Sequence, residues 1–360
     1  MKVCANCFND KEIKAFIDSE GIESGSGCDV CGDSSQSKTI NFDELSDFFT
    51  EFLTLFVKDK NSNKSLVQFI QSEFNMFSSD CCAEKILQEI LSHDTNDLSV
   101  YDKVSYSLEV SDYFSIWEKL KNEIKTQKRY FVNFDSYNLT NYLVPQASIK
   151  QGNVLYRARI TPLGKMLNKE DMGAPPAEKA QAGRANPLGI PYLYLSNDID
   201  TTYYEVRAVY LDKISVGRFR VVRDLRVVDF SEEFNLFWAY TNTDLSLSDL
   251  MRRGIVLDCI RHDLSKPLRR FDTELEYVPT QLICEHCKIN GADGVRFNSS
   301  LHQGGVNIVL FNSQDAECID VQEREIRNVM IVRRHLKIVQ IRRYMLVQEA
   351  FRSSTFFNSF

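Results

Sequence analysis

Nowhere in the 360 residues is there the run of roughly 18 to 20 apolar residues that a membrane-spanning helix needs. The opening MKVCANCFND lacks the apolar core of a signal peptide, so a cytoplasmic address and no membrane partner are expected. Arginine is absent from the first 100 residues, where eight Lys face eighteen Asp and Glu for a net charge of −10. Such a surface repels a phosphate backbone, which argues against nucleic acid as a partner of this part. The dinucleotide fingerprint G-x-G-x-x-G is missing, which argues against a hydride-transfer enzyme. Histidine is scarce, with five residues and no metal or triad spacing. What is present is 43% hydrophobic and 11% aromatic residues, enough to bury a core and to build two or three domains.

Ten cysteines without a secretory signal point to reduced thiols and a metal. Four of them, Cys4, Cys7, Cys28 and Cys31, form a C-x2-C-x20-C-x2-C pattern. Each pair sits on a short turn able to aim two sulfurs at one ion, and four thiolates complete a tetrahedral zinc site with no open position. The expected Zn2+ is therefore structural, folding a small ribbon over residues 1–39 that is too short for a core of its own. The Gly-Ser-rich EGIESGSG reads as a flexible excursion between the pairs. The other thiols read as buried or incidental, and CEHC at 284–287 as the buried side of a helix carrying an exposed His286.

Residues 40–126 carry helical periodicity in INFDELSDFFTEFLTLFVKD, SLVQFIQSEFNMF, CAEKILQEILSH and YFSIWEKLKNEIK, with KNSNKS and SHDTND as breaks. Their aromatic stripe is read as core packing. From residue 127 the texture changes to β-rich runs, VLYRARI, YLYLS, GRFRVVRDLRVVDF, GVRF, VNIVLF and NVMIVRRHLKIVQI. Helical patterns, TTYYEVRAVYL and TQLICEHCKI, lie between some of them, which predicts an α+β domain from 127 to 360.

Within VLYRARI, alternation places Tyr156 and Ala158 on one face and Leu155, Arg157 and Arg159 on the other. An arginine among apolar strand residues needs an anion or an acid, because its charge is not buried unpartnered without cost. Arg184 follows on a Gly-Asn-Pro-Gly loop, where a guanidinium can fork onto two oxygens. A strand and then a helix capped by Asp198 or Asp200 bring Glu205. Read alone, Arg157 and Glu205 could equally be a structural ion pair, and Ser299 could simply cap a chain reversal.

Four blocks in order carry more information than any one residue: LYRAR; APP, then AGRANPLGIPYLYLSND and the TxxxEVR helix; EYVPTQLICEHCK; and GADGVRFNSSLHQGGVNIVLF. Together, over residues 154–311, they resemble the RES domain family, named for Arg, Glu and Ser. The resemblance implies an ADP-ribosyltransferase-like α+β fold, here preceded by a small Cys4 zinc ribbon and a helical region. It places the catalytic residues at Arg157, Glu205 and Ser299, with Tyr156, Arg184, Asn186 and Tyr194 as substrate contacts. Leu301 and His302 stand where many relatives have an arginine soon after the serine.

The implied activity is cleavage of the nicotinamide–ribose bond of NAD, with inorganic phosphate or water as acceptor, in a toxin or defence setting. The residue types suit it. Nicotinamide leaves NAD as a neutral base without an acid's help, and one carboxylate can offset the positive charge growing on the ribose. Arg157 and Arg184 would hold phosphate groups, Tyr194 would wall the nicotinamide ring, and Ser299 would add a hydrogen bond. A protein inhibitor or activator and a homodimer are open to such an enzyme. Two other readings remain at this stage: a non-catalytic nucleotide-sensing or protein-binding module, and a transferase that places ADP-ribose on a macromolecule.

Overall fold

The computed structural model describes residues 1–23, 27–33, 37–93, 97–137, 139–162, 165–266 and 273–328. Of the expected β-rich run at 328–341, all but residue 328 lies outside these, as do parts of the EGIESGSG and SHDTND breaks. Among the described residues the chain divides into two compact units, one holding residues 1–115 and 234–256, the other residues 116–233 and 257–328.

In the first unit, Lys2–Cys4, Lys38–Asn41 and Ile22–Glu23 form an antiparallel sheet with Lys38–Asn41 in the centre. The helix Lys11–Glu20 starts where the Asp10 carboxylate accepts the backbone N–H groups of Glu12 and Ile13. Three further helices, Asp43–Leu53, Leu66–Phe74 and Asp80–His93, occupy the segments with helical periodicity. Ser65 and Gln68 close a capping box at the start of the second.

The helix Asp43–Leu53 is shorter than its hydrophobic pattern predicts. After Thr54 the chain turns, and Phe56–Lys58 pairs antiparallel with Val104–Tyr106. Phe56 reaches the same aromatic core from a strand, 5.2 Å from the Phe52 ring and 5.7 Å from Tyr106. Phe8, Phe48, Phe49, Phe52 and Phe77 are fully buried, each stabilising the unit by about 1.5–3 kcal/mol over an exposed ring. The aromatic stripe is thus core. Cys4, Cys7 and Cys28 share that core with the helices and with Leu236, Phe237, Leu247, Leu250, Met251 and Ile255.

The second unit is built on an eight-stranded mixed sheet. Its order is Ala316–Glu325, Lys213–Val221, Val154–Ile160, Leu193–Ser196, Val306–Leu310, Gly294–Asn298, Leu225–Phe230, Ala147–Ile149. Only Leu225–Phe230 and Gly294–Asn298 run parallel, joined by the long helical connection that parallel strands require. The helix Ile116–Thr126 belongs to this unit: Trp117 Nε1 and Lys121 Nζ both donate to Asp263 Oδ2, at 2.7 and 2.8 Å.

One face of the strand Val154–Ile160 sends Leu155 into a core with Met172, Phe219 and Leu195. The other sends Ala158 against Ile199, Tyr203 and Val206 of the short helix Ile199–Glu205 and its end. Alternation along the strand therefore runs as its sequence indicated.

Candidate functional site

Val154–Ile160 pairs along its whole length with Lys213–Val221. On its other edge it meets Leu193–Ser196 only through Tyr156 and Ser196. Where these two strands part, the sheet opens onto a cavity of about 380 Å³. Tyr156, Arg157, Arg184, Tyr194 and Glu205 all line it. Five residues drawn from two strands, a loop and a helix thus converge, while Ser299 stands behind Glu205 and Asn186 lies outside the lining.

Glu205 is the last residue of the helix Ile199–Glu205, which Asp198 caps by accepting the Thr201 N–H. The sequence pattern predicts a helix continuing toward Leu211. The chain instead breaks at Arg207 and Leu211, both with positive φ, at 52° and 70°, a conformation costly for such side chains. Ending the helix there leaves Glu205 at the cavity edge. Its Oε1 accepts hydrogen bonds from Ser299 Oγ and Asn307 Nδ2, each at 2.7 Å.

Ser299 also holds its own turn, accepting the backbone N–H groups of Leu301 and His302 at 3.2 Å. Ser299 therefore caps a chain reversal and also bonds to the carboxylate, but it is not part of the cavity lining. Opposite it, His302 joins the turn to the helix. Its Nδ1 lies 2.7 Å from Thr201 Oγ1, and its ring stacks on Tyr204 at 4.8 Å and 7°. Thr201 Oγ1 gives its proton to Asp198 Oδ2, so His302 Nδ1 must be the donor of that contact. His302 is thus half-buried and fastened. A Cβ on Gly305 would come within 2.2 Å of Thr201 Oγ1, so the turn fits this closely only with glycine there.

Arg157 is the electrostatic anomaly of the site. Its Nη1 is buried without a hydrogen-bond partner among the described residues. Burial, with Arg159 nearby adding repulsion, pulls the guanidinium down to about 10. No ion pair joins Arg157 to Glu205 among the described residues. The structural-pair alternative is therefore not what is seen.

Arg184 is tied down through Nη1, which donates to the carbonyls of Leu264 and Ser265 at 3.0 and 2.8 Å. The loop around it is clamped by the helix Val278–Ile289. Thr280 Oγ1 donates to the Arg184 carbonyl, and Gln281 Nε2 to those of Gly183 and Asn186. Asn186, expected to touch substrate, is spent on the loop itself. Its amide nitrogen lies 3.0–3.1 Å from the carbonyls of Gln181, Pro187 and Ile190. Its oxygen accepts the Tyr194 hydroxyl at 2.7 Å. Tyr194 combines two duties, since its ring lines the cavity while its hydroxyl also accepts Ala185 N–H at 3.1 Å. Burial pushes its hydroxyl pKa up, keeping it a donor.

Sequence reasoning did not single out Asn307, Tyr277 or Phe297 of the lining, nor Gln281 beneath it. Asn307 follows the Gly304-Gly305 turn as the second residue of the strand Val306–Leu310. A buried polar side chain on a strand of apolar neighbours, VNIVL, was the available signal.

A family model for the RES domain matches residues 154–332. The chain carries a RES domain. Its cavity residues lie between Tyr156 and Asn307, inside the matched span. No curated protein matches the chain. Among solved structures, a chain from the crystal structure of the M. tuberculosis MbcT–MbcA toxin–antitoxin complex is a distant likeness. It is 13% identical, with 61% of this chain and 93% of that chain covered and a TM-score of 0.30. A second cavity of about 440 Å³ within the RES domain unit shares no lining residue with the first. There Arg223 is committed to Asp293 and Asp315.

The four-cysteine cluster lies in the other unit. Sγ distances are 3.9 Å for Cys4 to Cys7, 3.5 Å for Cys4 to Cys31 and 3.4 Å for Cys7 to Cys28. A zinc tetrahedron with bonds of about 2.3 Å has sulfur–sulfur edges of about 3.8 Å, so the four side chains fit such an ion. The second knuckle turns through Gly32 at φ 72°, and Lys85 Nζ donates to the Val30 carbonyl at 2.6 Å. The CEHC thiols are fully buried in the helix Val278–Ile289, as expected. His286 differs from expectation in being half-buried, stacked on Phe134 at 4.1 Å. No helix among the described residues is long and apolar enough to cross a membrane.

Proposed function

We propose that the RES domain cleaves the bond between nicotinamide and ribose in NAD, with Glu205 beside the ribose and Arg157 on a phosphate group. The observation that carries this reading is the pairing, in one cavity, of a carboxylate oriented by two donors with a buried guanidinium that has no counter-charge among the described residues. The first suits a centre that becomes positive during reaction, the second a ligand that arrives negative.

In the reaction the C1′–N1 bond breaks and its electron pair leaves with nicotinamide, which becomes neutral. Glu205 offsets the charge left on the ribose or grips its hydroxyls. Arg184, fixed by its two carbonyls, adds positive charge from a set position. Tyr156 and Tyr194 supply ring surface for the base. Inorganic phosphate as acceptor would form a new bond to C1′ and yield ADP-ribose phosphate; water would yield ADP-ribose and release a proton. A cavity with arginines favours the anionic acceptor. NAD loss of this kind fits a toxin or defence effector restrained by a protein partner. The cysteine cluster would hold a structural zinc, since four sulfurs leave it no open position.

The test is nicotinamide release from NAD by the purified full chain, with and without phosphate, beside Glu205→Gln. Release that depends on phosphate and falls about 10²–10³-fold in the variant is expected for a lost electrostatic contact to the transition state. Release with a proton and no phosphate dependence would assign water as acceptor. No release in either buffer from folded, zinc-loaded protein would end the NAD-cleaving reading.

A further inference from the structure

Glu205 ends its helix, so its carboxylate sits at the negative pole of the helix dipole and gains nothing from the backbone behind it. The chain beyond it turns into a strained reversal at Arg207. What orients the carboxylate must come from elsewhere. Two donors supply it, and both act on one atom, Oε1.

These donors differ in kind. Ser299 shares its hydroxyl with its own turn. Asn307 comes from the middle of the sheet, in register with Ser196 on one side and Phe297 on the other. It is 7% exposed, and a carboxylate oxygen cannot donate, so the amide nitrogen is the group that faces Glu205. We infer that Asn307 is a positioning residue that locks Glu205 Oε1 and so turns Oε2 toward the bound substrate. The inference rests on the reading of Glu205 as the carboxylate that meets the ribose.

Asn307 variants keep the strand's backbone ladder, which does not use the side chain. In Asn307→Ala, kcat for nicotinamide release should fall about 10- to 100-fold, the scale of a misplaced catalytic group, with KM within about threefold. Asn307→Asp, nearly isosteric, sets a second carboxylate against Glu205. Like charges raise the pKa of the pair, so the acid limb of the kcat profile should move to higher pH. The 13C titration of the Glu205 carboxyl should move the same way, a readout independent of turnover.

A kcat within twofold of wild type in Asn307→Ala, or a loss carried by KM alone, would overturn the inference. An unmoved Glu205 titration in folded Asn307→Asp would do the same. Failure of the parent reading looks different: wild type itself would release no nicotinamide, while the carboxyl titration would still report on the Asn307 contact.

Discussion

Among the described residues Arg157 is a cation without an answering charge, and this shapes both stability and function. A buried donor with no partner typically costs about 1–3 kcal/mol. Replacing it with methionine removes that cost and keeps the side-chain volume. Arg157→Met should therefore leave the thermal midpoint in phosphate-free buffer unchanged or raised, while nicotinamide release falls about 10²-fold or more. A calorimetric scan beside the release assay checks both. A lower midpoint together with normal release would show that the guanidinium is a structural group. The strand pattern of VLYRARI revealed that this arginine was out of place, because a charge amid apolar residues is visible in one dimension. That Asn186 serves its own loop was not visible, since the carbonyls it satisfies come together only in three dimensions.

At the scale of elements, the site depends on how loops are held. The Gly183–Asn186 loop rests on two side chains of the helix Val278–Ile289, and Gln281 provides two of the three bonds. Gln281→Ala leaves the Gly183 carbonyl bare and takes one of two donors from that of Asn186. It should destabilise the RES domain by about 1–3 kcal/mol and loosen Arg184, raising KM for NAD more than it lowers kcat. Chemical denaturation with steady-state kinetics tests it, and unchanged values in both would show that the loop stands unaided. Helices and strands were largely legible because periodicity is a local property: the Leu66–Phe74 helix and the Val154–Ile160 strand fall where their patterns put them. Their ends were less so. The helix Asp43–Leu53 gives way to a strand although Phe56 keeps the helical spacing, and Ile199–Glu205 stops early with no Gly or Pro to mark it. In both cases tertiary packing overrides the local pattern. Glu205 owes its place at the cavity edge to that second stop.

At the scale of the whole molecule, the cysteine cluster and the phenylalanine core are one hydrophobic body. If a zinc ion holds the four sulfurs, its removal should melt this body as a unit. Metal analysis should find one zinc per chain, and a strong chelator should lower the first thermal transition. Cys7→Ser should do so as well, because Cys7 is fully buried and its sulfur has two neighbours in the cluster. A metal-free chain with an unchanged melting profile would leave the cluster without a structural role. The two units also exchange chain, residues 234–256 returning to the body begun by 1–115. This has a bearing on synthesis. A ribosome makes most of the first unit early, yet must read past residue 256 before Leu236, Phe237, Leu247, Leu250, Met251 and Ile255 have all emerged. Ser299 and Asn307, which grip Glu205, come later still. A nascent chain therefore carries Arg157 and Glu205 for roughly a hundred codons before it can hold them in working order. On the proposed reading, a cell making this protein is spared its chemistry until residues 299–307 have been made and folded.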